Sequence, residues 1–328
     1  MKKAILMLAM ISLSVLLFAN GGSETATTGE KPLKIGVSQF VQHPALDAVY
    51  KGITDEMAAL GYEDVVYDYQ NSNADVNTAR QIANLFQSKK MDLVVGIATP
   101  NAQALKMGVT NAPVIYSAIT DPLSAGLVES LEIGDPGING VSFKNPFKEQ
   151  IEFLLTLRDV KVLGQVYTGN EDNAMFQAAQ VEKACNELGI EYIGTSVTSS
   201  AEVKSAAETL ISRVDALFVS TDNTVVSALN GLATTALAHK VPIISSDTAS
   251  AKENPVLVAW GFDWYYIGQE TARMMDQILK GAKTEELATT VVSDPTYMEM
   301  VINTAVAEKI GIDFPKEVLD QADLIIAE

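Results

Sequence analysis

The chain has 328 residues, of which 48% are apolar and 20% are charged, and its formal net charge is -18. This composition is typical of a globular protein, and the length suits two domains of roughly 130 to 160 residues better than one. The negative charge argues against nucleic acid as a partner, because its phosphates would be repelled, and against an anionic membrane surface.

The N-terminal segment predicts export. Lys2 and Lys3 precede an apolar run, residues 4–18, that is too short to cross a bilayer comfortably and is followed by the polar stretch NGGSETATTGEK. We interpret residues 1–19 as a signal peptide cleaved after Ala19 and residues 20–31 as a flexible tether; a retained membrane anchor is the alternative. The mature protein is therefore expected in the periplasm.

The single cysteine, Cys185, lies in a helical pattern far from the predicted cleavage site. The sequence therefore offers no lipobox cysteine for a lipid anchor and no intrachain disulfide. We expect Cys185 to be a small residue of the core.

Short apolar runs alternate with amphipathic segments along the chain, first up to GINGVSF at residues 137–143 and then again after it. In the first series the predicted strands are LKIGVSQ, DVVYDYQ, MDLVVGIA and APVIYSAI, and the predicted helices are 44–60, 74–89 and 101–109. In the second series the strands are KVLGQVYT, EYIGTSV, DALFVST, KVPIISS and NPVLVAWG, and the helices are 171–188, 201–211 and 223–238. This alternation predicts an α/β protein with parallel sheets covered on both faces.

The two series resemble each other in detail. DLVVGIATPNAQAL precedes NAPVIYSAITDP in the first, and DALFVSTDNTVVSAL precedes KVPIISSDTAS in the second. Each contains Asp, an apolar strand, Thr-x-Asn opening a helix, Pro, a second strand and a following Asp. Unequal spacing leaves chance similarity as the alternative. A true repeat predicts two α/β lobes whose strand ends face each other across a cleft, because ligands of open α/β sheets bind at the carboxyl ends of the strands.

Polar residues at these strand ends have two possible roles. Thr99, Asn101, Thr221 and Asn223 lie at helix starts, where they either cap the helix or help its N-terminus to hold an anion such as a carboxylate. Asp121, Asp222 and Asp247 suit an ammonium group or hydroxyl donors, and each is equally compatible with a turn or a cap.

Catalysis is not indicated. The histidines are His43 and His239, and the sequence contains no nucleophile elbow, phosphate-binding loop, dinucleotide fingerprint, zinc motif or cysteine cluster. We expect a protein that is not an enzyme and that needs no cofactor and no metal.

Seven segments carry a resemblance to a known family. They are IGVSQFVQHPALDAVYKGI, YQNSNADVNTARQIA, DLVVGIATPNAQAL, TDPLSAGLV, STDNTVVSAL, SSDTAS and GFDWYYIGQETARM. Together they resemble the ABC-transporter substrate-binding proteins of the tryptophan/tyrosine-binding type, over residues 34–322 and in the expected order. The resemblance implies a type I periplasmic binding protein fold, with two doubly wound parallel-sheet lobes joined by a three-crossing hinge. Lobe one is then residues 32–142 and 264–293, and lobe two is residues 143–263 and 294–328.

The resemblance also implies which residues face the cleft. Asp247 or Asp222 would hold the ammonium group of a ligand, and residues 99, 101 and 102 would hold its carboxylate. Nearby aromatic side chains would stack on a ligand ring. The implied ligand-binding residues are Gln39, Phe40, His43, Thr99, Asn101, Ala102, Asp121, Tyr167, Asn170, Asn173, Thr221, Asp222, Asn223, Asp247 and Phe262.

The implied function is capture of an amino acid, most simply an aromatic one, for delivery to an ABC permease in the membrane. The protein is expected to work as a monomer. A ligand-sensing partner of a membrane receptor is the second possibility, and a sugar or another small polar solute is the rival ligand.

Overall fold

The structure is a computed structural model, and it describes residues 32–327. The predicted signal peptide and tether lie outside these residues. Within them, none of the helices combines the length and apolar composition that crossing a bilayer requires.

Two sheets, each built mainly of parallel strands, organise the described chain. The strands of the first sheet are β1 Lys34–Gln39, β2 Val66–Asn71, β3 Leu93–Ile97, β4 Val114–Ile119, β5 Ile138–Phe143 and, much later in the chain, β11 Thr290–Val292. Those of the second are β6 Val162–Thr168, β7 Glu191–Val197, β8 Ala216–Val219, β9 Ile243–Ser245, β10 Val258–Phe262, β12 Met298–Asn303 and β13 Leu324–Ile326. The strand orders are β11-β5-β4-β3-β1-β2 and β13-β12-β10-β9-β8-β6-β7, and the β10–β12 pair is antiparallel.

Helices cover both faces of each sheet. They are α1 Pro44–Ala59, α2 Val76–Lys89, α3 Thr99–Gly108, α4 Phe147–Leu157, α5 Asp172–Leu188, α6 Val203–Leu210, α7 Asn223–Ser227, α8 Leu229–Ala238, α9 Thr248–Ala251, α10 Trp264–Leu279, α11 Thr304–Ile310 and α12 Lys316–Leu319. The predicted helix 223–238 is divided at Ala228, which leaves helical geometry at φ -113° and ψ 17°. The predicted helix 101–109 begins two residues earlier, at Thr99.

Each sheet has an apolar core on both faces, because successive side chains of a strand point to opposite faces and both faces are covered by helices. In lobe one, defined here by the six-stranded sheet, α1 and α10 pack on one face and α2 and α3 on the other. In lobe two, defined by the seven-stranded sheet, Cys185 is buried in the core formed with α4 and α5, as expected.

The chain passes between the sheets three times, after β5, after β10 and after β11. These segments are residues 144–146, residue 263 and residues 293–297. The predicted fold class, two parallel-sheet lobes joined by three crossings, is confirmed. The crossings bring the carboxyl ends of both sets of strands to the same region.

Candidate ligand-binding site

A narrow cavity lies between the carboxyl ends of the two sheets. We call it the cleft cavity. Lobe one lines it with residues from the start of α1, the ends of β3 and β4 and the end of β5, and lobe two with residues that follow β6, β8 and β9. The lining residues are His43, Leu46, Ala98, Thr99, Ala118, Thr120, Phe143, Asn173, Thr221, Asn223, Asp247 and Trp264.

The lobe-one wall contains two alanines in the left-handed backbone region. Ala98 has φ 74° and ψ 156°, and Ala118 has φ 58°. An L-residue in this region is strained by about 1–3 kcal/mol, and such strain is concentrated at functional sites. Ala98 is also the N-cap residue of α3, and it has no side-chain oxygen to cap the first N–H groups. The positive end of α3 is thus left available beside Thr99.

Three side chains on the cavity wall are buried with polar atoms that have no hydrogen-bond partner among the described residues. They are both ring nitrogens of His43, Oδ1 of Asn173 and Nε1 of Trp264. An unsatisfied buried polar group costs about 1–3 kcal/mol, so these atoms indicate that a polar ligand completes the site.

His43 is neutral in this setting. Burial, the largest influence, lowers its pKa to about 4, against a smaller opposing effect of the Asp47 carboxylate. The imidazole therefore offers one N–H donor and one acceptor to the cavity at physiological pH.

Asp247 contributes a buried carboxylate that is only partly satisfied. Its Oδ1 accepts a hydrogen bond of 2.8 Å from the backbone N of Ser250, whereas no residue of the described chain donates to Oδ2 or forms an ion pair with it. Lys252, a nearby cation, is paired with Glu299 at 2.8 Å. Burial raises the pKa of Asp247 to about 6. A buried carboxylate without a cation favours a positively charged ligand group.

Asp222 differs from Asp247 because its carboxylate is fully engaged. Oδ1 accepts from Thr168 Oγ1 at 2.7 Å and from the backbone N atoms of Thr224 and Val225 at 3.1 Å, and Oδ2 accepts from Thr168 N at 2.6 Å. Asp222 therefore ties β6 to the start of α7 and does not line the cleft cavity.

Glu171, which precedes α5, supports the same wall from behind. It accepts hydrogen bonds from Asn223 Nδ2 at 2.9 Å and Thr224 Oγ1 at 2.6 Å. Burial, followed by the negative charge of Asp222, raises its pKa to about 7. Glu171 was not singled out in the sequence, because nothing local distinguishes it from the many other acidic residues.

The structure brings some of the predicted residues together at the cleft cavity: His43, Thr99, Asn173, Thr221, Asn223 and Asp247. Thr221 faces the cavity while its hydroxyl donates to Gln177 Oε1 at 2.6 Å. The predicted cleft residues of both lobes thus contribute to one site.

Other predicted residues lie away from this cavity. Asn101 points into lobe one, where Nδ2 donates to Ser38 Oγ at 2.7 Å and Oδ1 accepts from Ser72 Oγ at 2.8 Å. Gln39 Nε2 donates to Asp47 Oδ1 at 2.7 Å. Phe40, Ala102 and Phe262 are core residues, Tyr167 is half-buried on β6, Asn170 is exposed, and Asp121 lines a neighbouring pocket.

Two aromatic residues on the cavity wall were not predicted as ligand contacts. Phe143 ends β5 and Trp264 begins α10, and their rings meet edge to face at 5.1 Å between centroids. The signal that could have found them is their position, since each stands at a crossing between lobes.

Within residues 32–327, no group of three or more His, Cys, Asp or Glu residues is placed to hold a metal ion.

Comparison with known proteins agrees with this architecture. A family model described as "ABC transporter substrate binding protein" matches residues 34–326. The tyrosine-binding protein of Clostridioides difficile (strain R20291) is 32% identical over 290 residues, which cover 87% of this chain and 83% of that protein.

Solved structures agree as well. An ABC domain in complex with L-Trp from Streptococcus pneumonia superimposes with a TM-score of 0.86 at 36% identity, covering 90% of this chain and 100% of that one. A ligand-free, open substrate binding protein with adhesive properties from Clostridium difficile gives a TM-score of 0.67 at 27% identity, with the same coverage. The match to the family model spans both lobes and all three crossings, and the chain therefore belongs to the ABC transporter substrate-binding protein family.

Proposed function

We propose that this protein captures a free aromatic α-amino acid between its lobes and delivers it to an ABC importer. The observation that carries the proposal is the buried Asp247 carboxylate, which has no cation partner among the described residues and lines the same cavity as the uncapped N-terminus of α3. A zwitterion satisfies both ends, because the ammonium pairs with Asp247 and the carboxylate with the α3 N–H groups. Phe143 and Trp264 supply apolar surface for a ring.

The relatives support this ligand class. The names of two similar proteins state that one is tyrosine-binding and that the other was crystallised with L-Trp. The higher TM-score against the L-Trp complex than against the open structure supports a closed arrangement for the lobes described here. Gln103 Nε2 of α3 also donates to Asp172 Oδ2 of α5 at 2.7 Å, a contact that joins the two lobes.

The proposal extends to the setting of the protein. It includes export by the segment 1–19, a periplasmic location, a monomeric state, lobe boundaries as predicted, and recognition of the closed form by the permease. We expect the bound ligand to be released without chemical change, because a binding protein performs no catalytic step.

Ligand analogues test the two charge contacts separately. We expect L-tryptophan, L-tyrosine or L-phenylalanine at about 100 times its dissociation constant to raise the unfolding free energy by about 2.7 kcal/mol. Tryptamine lacks the carboxylate and indole-3-propionate lacks the ammonium, so each should stabilise much less in a thermal-shift series. Stabilisation by sugars alone, or by both analogues as strongly as by the amino acid, would contradict the proposal.

Ligand affinity should depend on pH through Asp247. The carboxylate must be ionised to pair with an ammonium, and its pKa in the unliganded protein is raised to about 6. We therefore expect the association constant to be level well above that pH and to fall by about tenfold per pH unit below it, because release of ligand is coupled to uptake of one proton.

Calorimetric titrations at several pH values above and below 6 measure how steeply the association constant changes with pH. Glu171→Gln is the matched control, because Glu171 has a raised pKa of about 7 but contacts Asn223 and Thr224 and does not line the cavity. The slope should persist in Glu171→Gln. A slope that disappears in that variant would assign the titration to Glu171 and contradict the role of Asp247.

A further inference from the structure

A second interlobe pocket of about 230 Å³ lies beside the cleft cavity. We call it the hinge pocket. Thr120 and Phe143 line both spaces. The walls of the hinge pocket come from lobe one, from the first crossing and from lobe two, so an occupant would contact all three parts of the molecule.

Asn145, in the first crossing, is the feature that indicates a ligand. It is 9% exposed, and neither Oδ1 nor Nδ2 has a hydrogen-bond partner among the described residues. Its side chain lines the hinge pocket and also a more open groove on the other side of the crossing. An amide buried in this way is costly unless a donor and an acceptor reach it.

The remaining walls define the chemistry of the occupant. Phe147 and Phe176 provide aromatic surface, and Leu131 adds an aliphatic side chain. Asp121 and Lys144 bring one charge of each sign, and neither forms an ion pair with any residue in the described range. Aromatic walls with one free anion and one free cation suit a zwitterion that carries a ring.

We propose that the hinge pocket is a second binding site, which takes an aromatic zwitterion of the same chemical class as the cleft ligand. The choice of an aromatic amino acid as the probe for this site rests on the proposed function, whereas the geometry of the hinge pocket does not depend on it. The two sites share no polar side chain other than Thr120. They can therefore be removed independently.

Equilibrium dialysis of the full chain against radiolabelled L-tryptophan, from micromolar to millimolar concentration, counts the sites. The wild-type protein is expected to bind two equivalents. Asn145→Leu is expected to bind one, and Asp247→Asn is expected to bind one with the wild-type affinity and the other about 100-fold more weakly. Phe176→Ala is a second variant of the hinge pocket at a partly exposed position, and it should also lose the second equivalent. Circular dichroism melting checks that each variant is folded.

The outcomes separate the two proposals. One equivalent in the wild-type protein that only Asp247→Asn weakens, or two that persist in both Asn145→Leu and Phe176→Ala, overturns the hinge site and leaves the cleft function standing. One equivalent that survives Asp247→Asn and is lost in the hinge variants supports the hinge site and overturns the cleft function. No binding at any concentration overturns both.

Discussion

Asp247→Asn is expected to lower the affinity for an aromatic amino acid by on the order of 100-fold, because a buried ammonium would lose its charged partner. The substitution keeps the shape of the side chain, and the amide oxygen can still accept the hydrogen bond from Ser250 N that caps α9. The fold should therefore survive with little loss of stability. Isothermal titration calorimetry and thermal melting measure the two effects on the same samples.

Asp222→Asn is the matched comparison at the equivalent position of the preceding strand. Here the new amide nitrogen takes the place of Oδ2 and cannot accept the hydrogen bond from Thr168 N, while the amide oxygen at the Oδ1 position can still accept from Thr168 Oγ1. We expect a loss of about 1–3 kcal/mol in unfolding free energy and a much smaller change in ligand affinity. The reverse pattern, with affinity lost at Asp222 and kept at Asp247, would mean that the ammonium is held elsewhere.

Gly268→Ala is expected to have the largest effect on stability. α1 and α10 cross so closely that a Cβ at Gly268 would lie 2.2 Å from the carbonyl oxygen of Val49, and one at Gly52 would lie 2.1 Å from that of Tyr265. Both obstacles are backbone atoms of packed helices, so the helices must separate. We expect a loss of about 3 kcal/mol, measured by chemical denaturation.

Ligand affinity should fall in the same variant, since α1 begins beside His43 and α10 begins at Trp264, and both residues line the cleft cavity. Gly231→Ala is the control, because the same substitution in helix α8 meets only the Lys204 side chain, at 3.3 Å. Its stability should stay within about 1 kcal/mol of the wild-type protein. Equal losses at both glycines would show that close helix packing is not the cause.

The fold could be predicted from the sequence because its signals are local. Buried runs such as LVVGI in β3 contain consecutive β-branched and apolar residues, and each is followed by a helical pattern with its own start and stop. The family segments add order and connectivity, including the three crossings. Helix boundaries were less accurate where the backbone departs from helical geometry, as at Ala228.

The candidate site was predictable only in outline. Strand-end positions identified Thr99, Thr221, Asn223 and Asp247, because the carboxyl ends of parallel strands converge. Asn101 shares the Thr-x-Asn pattern with Asn223, yet it hydrogen-bonds to Ser38 and Ser72 inside lobe one. The helix begins at the Thr of the pattern in lobe one and at its Asn in lobe two, so the same three-residue pattern places the two amides differently.

The sequence by itself determined the two-lobed α/β architecture, the polar strand ends and the family, since these depend on periodicity and on short motifs. Only the tertiary structure distinguishes the fully hydrogen-bonded Asp222 from Asp247 on the cavity wall, because the donors that engage Asp222 come partly from Thr168, on a strand 54 residues away in the chain. It also brought Phe143 and Trp264 from two separate crossings to one wall. Contacts between distant segments depend on how whole elements pack, and no local pattern carries that information.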